Sequence, residues 1–199
     1  LMPTISSIRE CLVCNNIGKH FGLKFSLHLK VDTGMSRLGF ESNKFVQQFE
    51  KIKSFENISI EGIYSHLSSA DEDNALDSQS ITQLQRLKFN ELLKQINLDR
   101  NNEIKIHLAN SAGMLLSKDF HFHMVRVGLS MYGYSPLDKI DKNLLLKPAL
   151  SLKVKVAFIR TIDKGVSVSY GGKFVSHRKT KLAVLSIGYA DGVPRNLSG

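Results

Sequence analysis

Residues 23–32, LKFSLHLKVD, alternate strictly between apolar and polar side chains. A period of two residues predicts a β-strand with one apolar face and one polar face. On the amino-terminal side, Ser6 or Ser7 can cap a helix that Gly22 ends, and on the other side Asn43 can cap a second helix. A strand between two helices indicates a parallel sheet with crossover helices, so this segment predicts a fold of the α/β class.

The alternation of strands and helices continues to about residue 132. Further strands are predicted over residues 58–67, 104–109 and 124–132. A long helix is predicted over residues 78–98, and a short helical turn near residues 113–117. The long helix is expected to bury one broad apolar face, which is formed by Ile81, Leu84, Leu87, Leu92 and Ile96.

The strands at residues 23–32 and 104–109 carry histidine and lysine on their polar face. In an open doubly wound sheet the strands are apolar on both faces, because helices cover both. A closed barrel tolerates polar side chains in its lumen near the mouth, where the carboxyl ends of the strands lie. The sequence therefore predicts a (β/α)8 TIM-type barrel. The barrel is expected to be partial, and the chain a fragment, because a complete barrel takes about 250 residues.

The pattern changes after Pro136. Residues 152–158 alternate with a period of two, no helical period follows them, and glycines separate short strands at hairpin-like intervals. We therefore predict two domains. Residues 1–136 form a partial (β/α) barrel, and residues 137–199 form the start of a β-rich domain.

The composition is that of an ordinary globular protein, with 42% hydrophobic and 23% charged residues among 199. No membrane-spanning helix and no signal peptide are predicted, because the chain lacks a long apolar run and its first residues lack a basic segment followed by an apolar one. Lysine and arginine total 27 against 18 acidic residues, a formal charge of +9. These charges are scattered, so they predict a solvated surface and no nucleic-acid partner.

Cys11 and Cys14 form a C-x-x-C pair. A redox pair or half of a zinc site is the functional alternative. No second pair and no nearby set of histidines completes a tetrahedral site, so no metal is predicted. The favoured interpretation is two small side chains on a helix, and a count of two cysteines fits a cytoplasmic protein.

Four strand ends in succession run into turns rich in Gly, Ser or Asn. The carboxyl ends of barrel strands meet at one mouth, so these turns bring a set of polar residues together. A single histidine at a strand end is more often structural, but four such segments in succession favour an active site. Two arginines, a hydroxyl and backbone N–H groups suit an anion such as a phosphate. The residues of this predicted site are Arg37, His66, Asn110, Ser111, Arg126 and Gly128.

Six segments carry longer motifs, in the order HLKVDTGMSRLGF (28–40), SHLSSADE (65–72), HLANSAG (107–113), MVRVGLSMYG (124–133), VSYGGKF (168–174) and IGYADGVPR (187–195). This ordered set resembles the alanine racemase family over nearly the whole chain after residue 28. The resemblance implies a pyridoxal 5'-phosphate enzyme that interconverts L- and D-alanine for the supply of peptidoglycan precursors. It also implies a barrel domain followed by a β-domain, and a homodimer whose active site is shared across the interface.

The resemblance implies cofactor-binding roles at the predicted mouth. Arg37 would hydrogen-bond the phenolic oxygen of the cofactor and help to position the substrate carboxylate. Arg126, with His66 behind it, would face the pyridine nitrogen. Because Arg126 is permanently cationic, it would leave that nitrogen unprotonated, weaken the cofactor as an electron sink and disfavour transamination. The remaining cofactor-binding residues would be Asn110, Ser111, Gly128 and Leu129. The last three of these would hold the phosphate.

The resemblance also implies the catalytic residues. Tyr170 and Arg37 would be catalytic. Tyr170 would be one of two bases, and it would act across the dimer interface. The second base, the lysine that anchors the cofactor, is expected ahead of residue 1, so we expect the 199-residue chain alone to be inactive. Lys30 matches a lysine that is often carbamylated, with an unmodified salt-bridge partner as the alternative. The substrate entrance would be lined by Asp71, His107, Tyr189 and Arg195, and ordinary interface residues are the alternative for the last three.

Two other functions stay open at this point. A serine or broad-specificity amino-acid racemase is the nearest rival, because the pocket near Tyr170 sets the width of the substrate. A non-catalytic pyridoxal-phosphate-binding barrel protein is the rival from a different class. Proteins of that class lack a β-domain, so the segments VSYGGKF and IGYADGVPR argue against it.

Overall fold

The computed structural model describes residues 2–99, 102–138 and 145–197. The chain divides into two compact units, Leu1–Ala149 and Leu150–Gly199. These units follow the order of the two predicted domains, and the boundary after residue 136 stays a prediction. Within the described ranges, no helix is long and apolar enough to cross a membrane.

The first unit alternates strands and helices around a parallel sheet. In chain order its elements are β1 (Thr4–Ile5), α1 (Ile8–Phe21), β2 (Phe25–Asp32), β3 (Phe40–Glu41), α2 (Ser42–Lys53), β4 (Ile58–Tyr64), α3 (Ile81–Gln95), β5 (Lys105–His107) and α4 (Ser111–Leu116). The strand order is β1-β2-β4-β5, β3 also pairs with β2, and every pairing is parallel. The predicted α/β class is confirmed.

The ends of α1 follow the sequence signals. The Ser7 hydroxyl accepts a hydrogen bond from the backbone N–H of Glu10 at 3.3 Å. Gly22 ends the helix with a φ of 64°, a left-handed conformation that glycine adopts at little cost. The predicted cap of α2 was wrong, because that helix begins at Ser42 and its N-cap is Glu41. The Ser42 hydroxyl instead donates to the backbone carbonyl of Asp32 and ties α2 to the end of β2.

The two faces of β2 have different environments. The side chains of Leu27, Leu29 and Val31 are buried in the apolar core, together with residues of the helices. His28 and Lys30 alternate with them and lie on the other face of the strand, as the period of two predicts. The apolar core therefore lies on the helix side of the sheet, and the polar site described below lies on the opposite side.

Helix α3 buries a different face from the one predicted. Leu92 and Ile96 are buried as expected, but Ile81, Leu84 and Leu87 are about half exposed. The buried face is formed by Thr82, Gln85, Phe89, Leu92 and Leu93. The physical reason is the buried Gln85 amide, whose Oε1 accepts from the Ser68 N–H at 2.9 Å and whose Nε2 donates to the His66 carbonyl at 2.9 Å.

The strand predicted over residues 124–132 was also wrong. Met124 forms an isolated bridge with His107, and the N–H of Arg126 donates to the carbonyl of Ala109 at 3.0 Å. At Gly128 the backbone leaves the extended conformation, with φ −113° and ψ −94°, and Leu129–Tyr132 form a 3-10 helix. The other predicted strands exist, but β4 and β5 are shorter than predicted.

The second unit is β-rich, as predicted. Strand β6 (Val156–Ile162) pairs antiparallel with β9 (Thr180–Leu185), and β7 (Ser167–Val168) pairs antiparallel with β8 (Phe174–Val175). A short 3-10 helix lies between β7 and β8, at Tyr170–Gly172. Two more follow β9, at Tyr189–Asp191 and Arg195–Leu197. Two of the family-like motifs therefore lie on turns between or after short strands.

The face of α3 that packs on the core can be tested with two variants of one helix. Phe89→Ala removes a fully buried ring and is expected to lower the free energy of unfolding of the chain by about 3–5 kcal/mol. Leu84→Ala, on the exposed face, is expected to lower it by less than about 1 kcal/mol. Urea denaturation of the 199-residue chain measures both. Equal losses would contradict the observed face.

Candidate active site

A partly buried guanidinium, that of Arg126, is the centre of the polar face. Its Nη2 donates to the carbonyls of Ser65 at 2.7 Å and Leu108 at 3.1 Å, and lies 3.2 Å from His66 Nδ1. Its Nη1 lies 2.6 Å from His107 Nδ1. Of the five N–H groups of a guanidinium, the Nε–H and one Nη1–H have no partner among the residues that the structure describes.

Aromatic stacking holds the same group from one side. The guanidinium carbon of Arg126 lies 4.7 Å from the centre of the Tyr64 ring, and that ring stacks on His107 with centroids 4.6 Å apart and an interplanar angle of 9°. The Tyr64 hydroxyl is 3.1 Å from Thr4 Oγ1, which anchors the ring to β1. Arg126 is therefore fixed by an aromatic face as well as by hydrogen bonds.

The two histidines beside Arg126 are neutral. Burial and the positive charge of Arg126 lower the pKa of His107 to about 3, and the same two causes lower the pKa of His66 to about 4. Burial also lowers the pKa of Arg126 to about 10, which still leaves the guanidinium charged at neutral pH. A neutral imidazole nitrogen can accept from Arg126, so this cation is held without a counter-charge among its hydrogen-bond partners.

The segment that follows Arg126 in the chain contributes to a small group of hydroxyls suited to an anion. Ser111 Oγ accepts from the N–H of Gly128 at 2.8 Å and from the N–H of Ser130 at 3.3 Å, which leaves its own hydroxyl proton free to donate. The Ser130 hydroxyl is buried and has no hydrogen-bond partner within the described part of the chain. Leu129 begins a 3-10 helix, where the first N–H groups lack an intrahelical partner. We call Ser111, Leu129 and Ser130 the hydroxyl cradle. The two serines contribute their hydroxyls, and Leu129 contributes its backbone N–H.

Two of the predicted site residues build this cradle rather than face it. The Gly128 N–H is occupied by Ser111, so it is not available to an anion as predicted. The side chain of Asn110 caps α4 by accepting from the Gly113 N–H at 2.9 Å, and it donates to the Leu67 carbonyl at 3.2 Å. Asn110 therefore joins the start of α4 to the segment that follows β4.

Lys30 and Arg37 lie at the carboxyl end of β2. Lys30 is 5% exposed, and burial followed by the charge of Arg37 lowers its pKa. Arg37 is exposed on the loop after β2. Asp32 shapes this loop by accepting from the N–H groups of Gly34 and Ser36, and these hydrogen bonds outweigh burial and lower the pKa of the Asp32 carboxyl.

The remaining predicted residues are exposed, with one exception. Asp71 is exposed after β4, and Tyr170, Tyr189 and Arg195 are exposed on the 3-10 turns of the second unit, Tyr170 at 90%. His107 differs, because it is 3% exposed and hydrogen-bonded to Arg126. The structure places His107, one of the predicted entrance residues, in the interior beside Arg126.

Sequence reasoning missed three residues that build the site. They are His28, whose Nδ1 lies 2.9 Å from His107 Nε2, Tyr64, whose ring covers Arg126, and Gln85, which holds the carbonyl of His66. The alternation in β2 carried a signal for His28, since it places that residue on the same face as Lys30. Nothing in the pattern marked Gln85, because a polar residue on a helix is ordinarily exposed.

A parallel β/α sheet whose carboxyl end carries a partly buried arginine and a hydroxyl cradle defines a barrel-type protein with an anion site. Residues 1–136 match the alanine racemase N-terminal domain family, and residues 149–199 match the alanine racemase C-terminal domain family. The chain belongs to the alanine racemase family. Its fold is accordingly a partial TIM-type barrel followed by the start of the β-rich C-terminal domain.

Curated relatives agree with this membership. The chain is 46% identical over its whole length to an alanine racemase of Prochlorococcus marinus, of which it covers 51%, and 40% identical to one of Synechocystis, of which it covers 52%. The chain thus spans about half the length of the curated relatives it matches.

Solved structures agree as well. The alanine racemase of Clostridium difficile is 34% identical, with a TM-score of 0.75, over 98% of this chain and 50% of that one. The alanine racemase of Bartonella henselae, solved with covalently bound pyridoxal phosphate, is 32% identical, with a TM-score of 0.73, over 99% of this chain and 52% of that one.

The lowered histidine pKa values predict how stability depends on pH. Between pH 6.5 and about 5 the unfolded chain binds a proton on His107 that the folded chain does not, so the free energy of unfolding falls as the pH falls. For His107 alone the expected loss is about 1–2 kcal/mol, and His66 acts in the same direction. Asp32 and Glu61, whose pKa values are lowered from 3.8 and 4.5, lose their contributions mainly below this window.

Urea denaturation at several values between pH 7 and pH 5 measures this dependence. His107→Gln is expected to reduce the slope, because it removes the titrating group while keeping a polar side chain. Stability that is flat or that rises toward pH 5 would contradict the neutral state of these histidines.

Proposed function

We propose that the full-length protein containing this chain is an alanine racemase that uses pyridoxal 5'-phosphate to interconvert L- and D-alanine. The observation that carries the proposal is the fixed Arg126 guanidinium, with N–H groups that have no partner among the described residues, together with the hydroxyl cradle in a chain of this family. An anionic group and a ring nitrogen are the two features of the cofactor that such an arrangement recognises.

The residues of the cradle fit the phosphate of this cofactor. The free hydroxyl proton of Ser111 and the unpartnered buried hydroxyl of Ser130 are both donors, and an unpartnered buried hydroxyl is costly unless a ligand satisfies it. The N–H of Leu129 is a third donor. When bound, the cofactor supplies an electron sink that makes the α-proton of an amino acid removable.

Arg126 sets how strong that electron sink is. Its free Nε–H and Nη1–H would face the pyridine nitrogen, and a guanidinium with a pKa of about 10 does not give up a proton at neutral pH. Arg126 would therefore leave that nitrogen unprotonated, which would moderate the electron sink and disfavour transamination. His107 and His66 hold the guanidinium in place, so we assign to His107 the role of supporting Arg126. The proposed entrance residues are then Asp71, Tyr189 and Arg195.

Racemisation needs a proton acceptor and donor on each face of the α-carbon. We assign one face to the phenolic oxygen of Tyr170, which lies on an exposed turn and is thus available to a second subunit in a homodimer. The other face belongs to the lysine that anchors the cofactor in this family.

Arg37 would orient the substrate carboxylate, with carbamylated Lys30 beside it. The lowered pKa of Lys30 supports the modification, since only a neutral amine reacts with carbon dioxide.

The proposed substrate is alanine, and the proposed setting is the supply of peptidoglycan precursors in the cytoplasm. A racemase of broad specificity would use the same Arg126 and hydroxyl cradle. The two are separated by offering L-alanine, L-serine and L-lysine to the full-length protein in a chiral amino-acid assay. D-alanine as the main product is the expected outcome, and comparable rates with all three would replace the substrate assignment.

Tyr170→Phe tests the proposed base. The variant is expected to lower kcat by about 10²–10⁴-fold in the direction in which Tyr170 accepts the proton, because phenylalanine keeps the ring but has no ionisable oxygen. Tyr134→Phe is the matched control, at an exposed tyrosine with no proposed role, and is expected to change kcat far less. Racemisation at the wild-type rate by Tyr170→Phe would remove Tyr170 from the mechanism.

Ser111→Ala tests the cradle. The change removes one donor and leaves the N–H groups of Gly128 and Ser130 without their acceptor, so we expect the dissociation constant of pyridoxal 5'-phosphate to rise about tenfold or more. Ser117→Ala removes a similar hydroxyl, which caps a 3-10 helix, and is expected to leave that constant unchanged. The absorbance of the bound cofactor during titration measures both, and equal constants would show that Ser111 holds no phosphate.

A further inference from the structure

A chain of three hydrogen-bonded groups leads from Arg126 away from the cofactor site. Arg126 Nη1 is 2.6 Å from His107 Nδ1, and His107 Nε2 is 2.9 Å from His28 Nδ1. A guanidinium only donates, so His107 Nδ1 must accept, and a neutral His107 must then carry its proton on Nε2. That proton points at His28, so His28 Nδ1 must accept in turn. The donor-only chemistry of Arg126 thus favours one tautomer of His107, and that tautomer needs His28 Nδ1 as its acceptor.

The backbone is adapted to hold His28 in this place. His28 pairs with Gly62 of β4, and a side-chain Cβ built at Gly62 would lie 2.6 Å from two atoms of the His28 ring. Any larger residue at Gly62 would displace the imidazole. The rings of His28 and His107 are tilted by 52°, with centroids 5.1 Å apart, so they meet through their nitrogens and do not stack.

We propose that His28 is a positioning residue for the racemase reaction, which fixes the tautomer of His107 and, through it, the aim of the Arg126 guanidinium. The proposal rests on the proposed function. His28 touches neither substrate nor cofactor. It supplies the acceptor that keeps the His107 proton on Nε2, so that Nδ1 stays free to accept from Arg126.

The charges around His28 favour the accepting form. The charged or titratable groups that act on it are Glu61 on β4, His107 on β5, and Arg126. Burial and Arg126 lower the pKa of His28, and Glu61 opposes them. Glu61 is itself engaged by the hydroxyls of Ser59 at 2.7 Å and Ser26 at 3.2 Å. His28 is therefore neutral at pH 7, and its Nδ1 keeps the lone pair that the chain needs.

Loss of this acceptor has a defined consequence. Without His28 Nδ1, the His107 Nε2–H has no partner, so the Nε2–H tautomer loses part of its advantage over the Nδ1–H tautomer. In that tautomer the Nδ1–H of His107 faces an N–H of Arg126, and two donors repel each other. The guanidinium then moves away from the position that keeps the ring nitrogen unprotonated. The expected result is a lower racemisation rate and a larger share of transamination.

The matched variants are His28→Asn and His28→Leu. The two side chains have the same number of non-hydrogen atoms and branch at the same carbon, but only asparagine can present an acceptor, its Oδ1, near the position of His28 Nδ1. In the full-length protein loaded with cofactor, we expect His28→Leu to lower kcat about 10- to 100-fold with little change in KM. We also expect the ratio of pyruvate formed to D-alanine formed to rise about tenfold or more. His28→Asn should stay within about threefold of wild type in both measurements.

A measurement on the unsubstituted protein provides an independent test. The ¹⁵N shifts of labelled His107, assigned with His107→Gln, report which ring nitrogen carries the proton, and the Nε2–H tautomer is expected. A His107 found as Nδ1–H, or as imidazolium, at pH 7 would overturn the proposal. Equal effects of His28→Leu and His28→Asn on kcat and on the product ratio would also overturn the proposal. A wild-type protein that forms no D-alanine would instead overturn the proposed function, because the tautomer of His107 is measured without activity.

Discussion

The burial of one positive charge is the constraint on which the polar side of this fold depends. A guanidinium removed from water is stable only if its N–H groups meet acceptors. The acceptors of Arg126 come from the last residue of β5, His107, and from the segments after β4 and β5, which supply the carbonyls of Ser65 and Leu108 and the imidazole of His66. The charge therefore joins chain segments that are distant in sequence, and it does so at the end of the sheet where the hydroxyl cradle lies.

The same constraint determines the state of the neighbouring groups. The charge of Arg126 and the low polarity of the interior keep His66 and His107 neutral, and neutral imidazoles are the acceptors that the guanidinium needs. No carboxylate is among the hydrogen-bond partners that the structure shows for Arg126. The positive charge is thus not neutralised by its own supports, and it stays available to a ligand at the mouth of the sheet.

The helix pattern of the sequence was a weaker guide than the strand pattern. In β2 the alternation correctly separated the core residues Leu27 and Leu29 from His28, because side chains of a strand can point only to two sides. In α3 several faces were compatible with a helical period, and the choice depended on the amide of Gln85. The segment 124–132 failed as a strand because its pairing with β5 is a single bridge before the chain turns at Gly128.

The sequence by itself determined the α/β class, the change to a β-rich second part, the family, and most of the residues at the mouth of the sheet. These follow from local periodicity and from motifs that are contiguous in the chain. Only the tertiary structure decided that His107 supports Arg126 from the interior and that the Gly128 N–H donates to Ser111. It also decided that His28 contacts the other nitrogen of His107. Hydrogen-bond partners and burial depend on the packing of segments far apart in sequence, so no local pattern can reveal them.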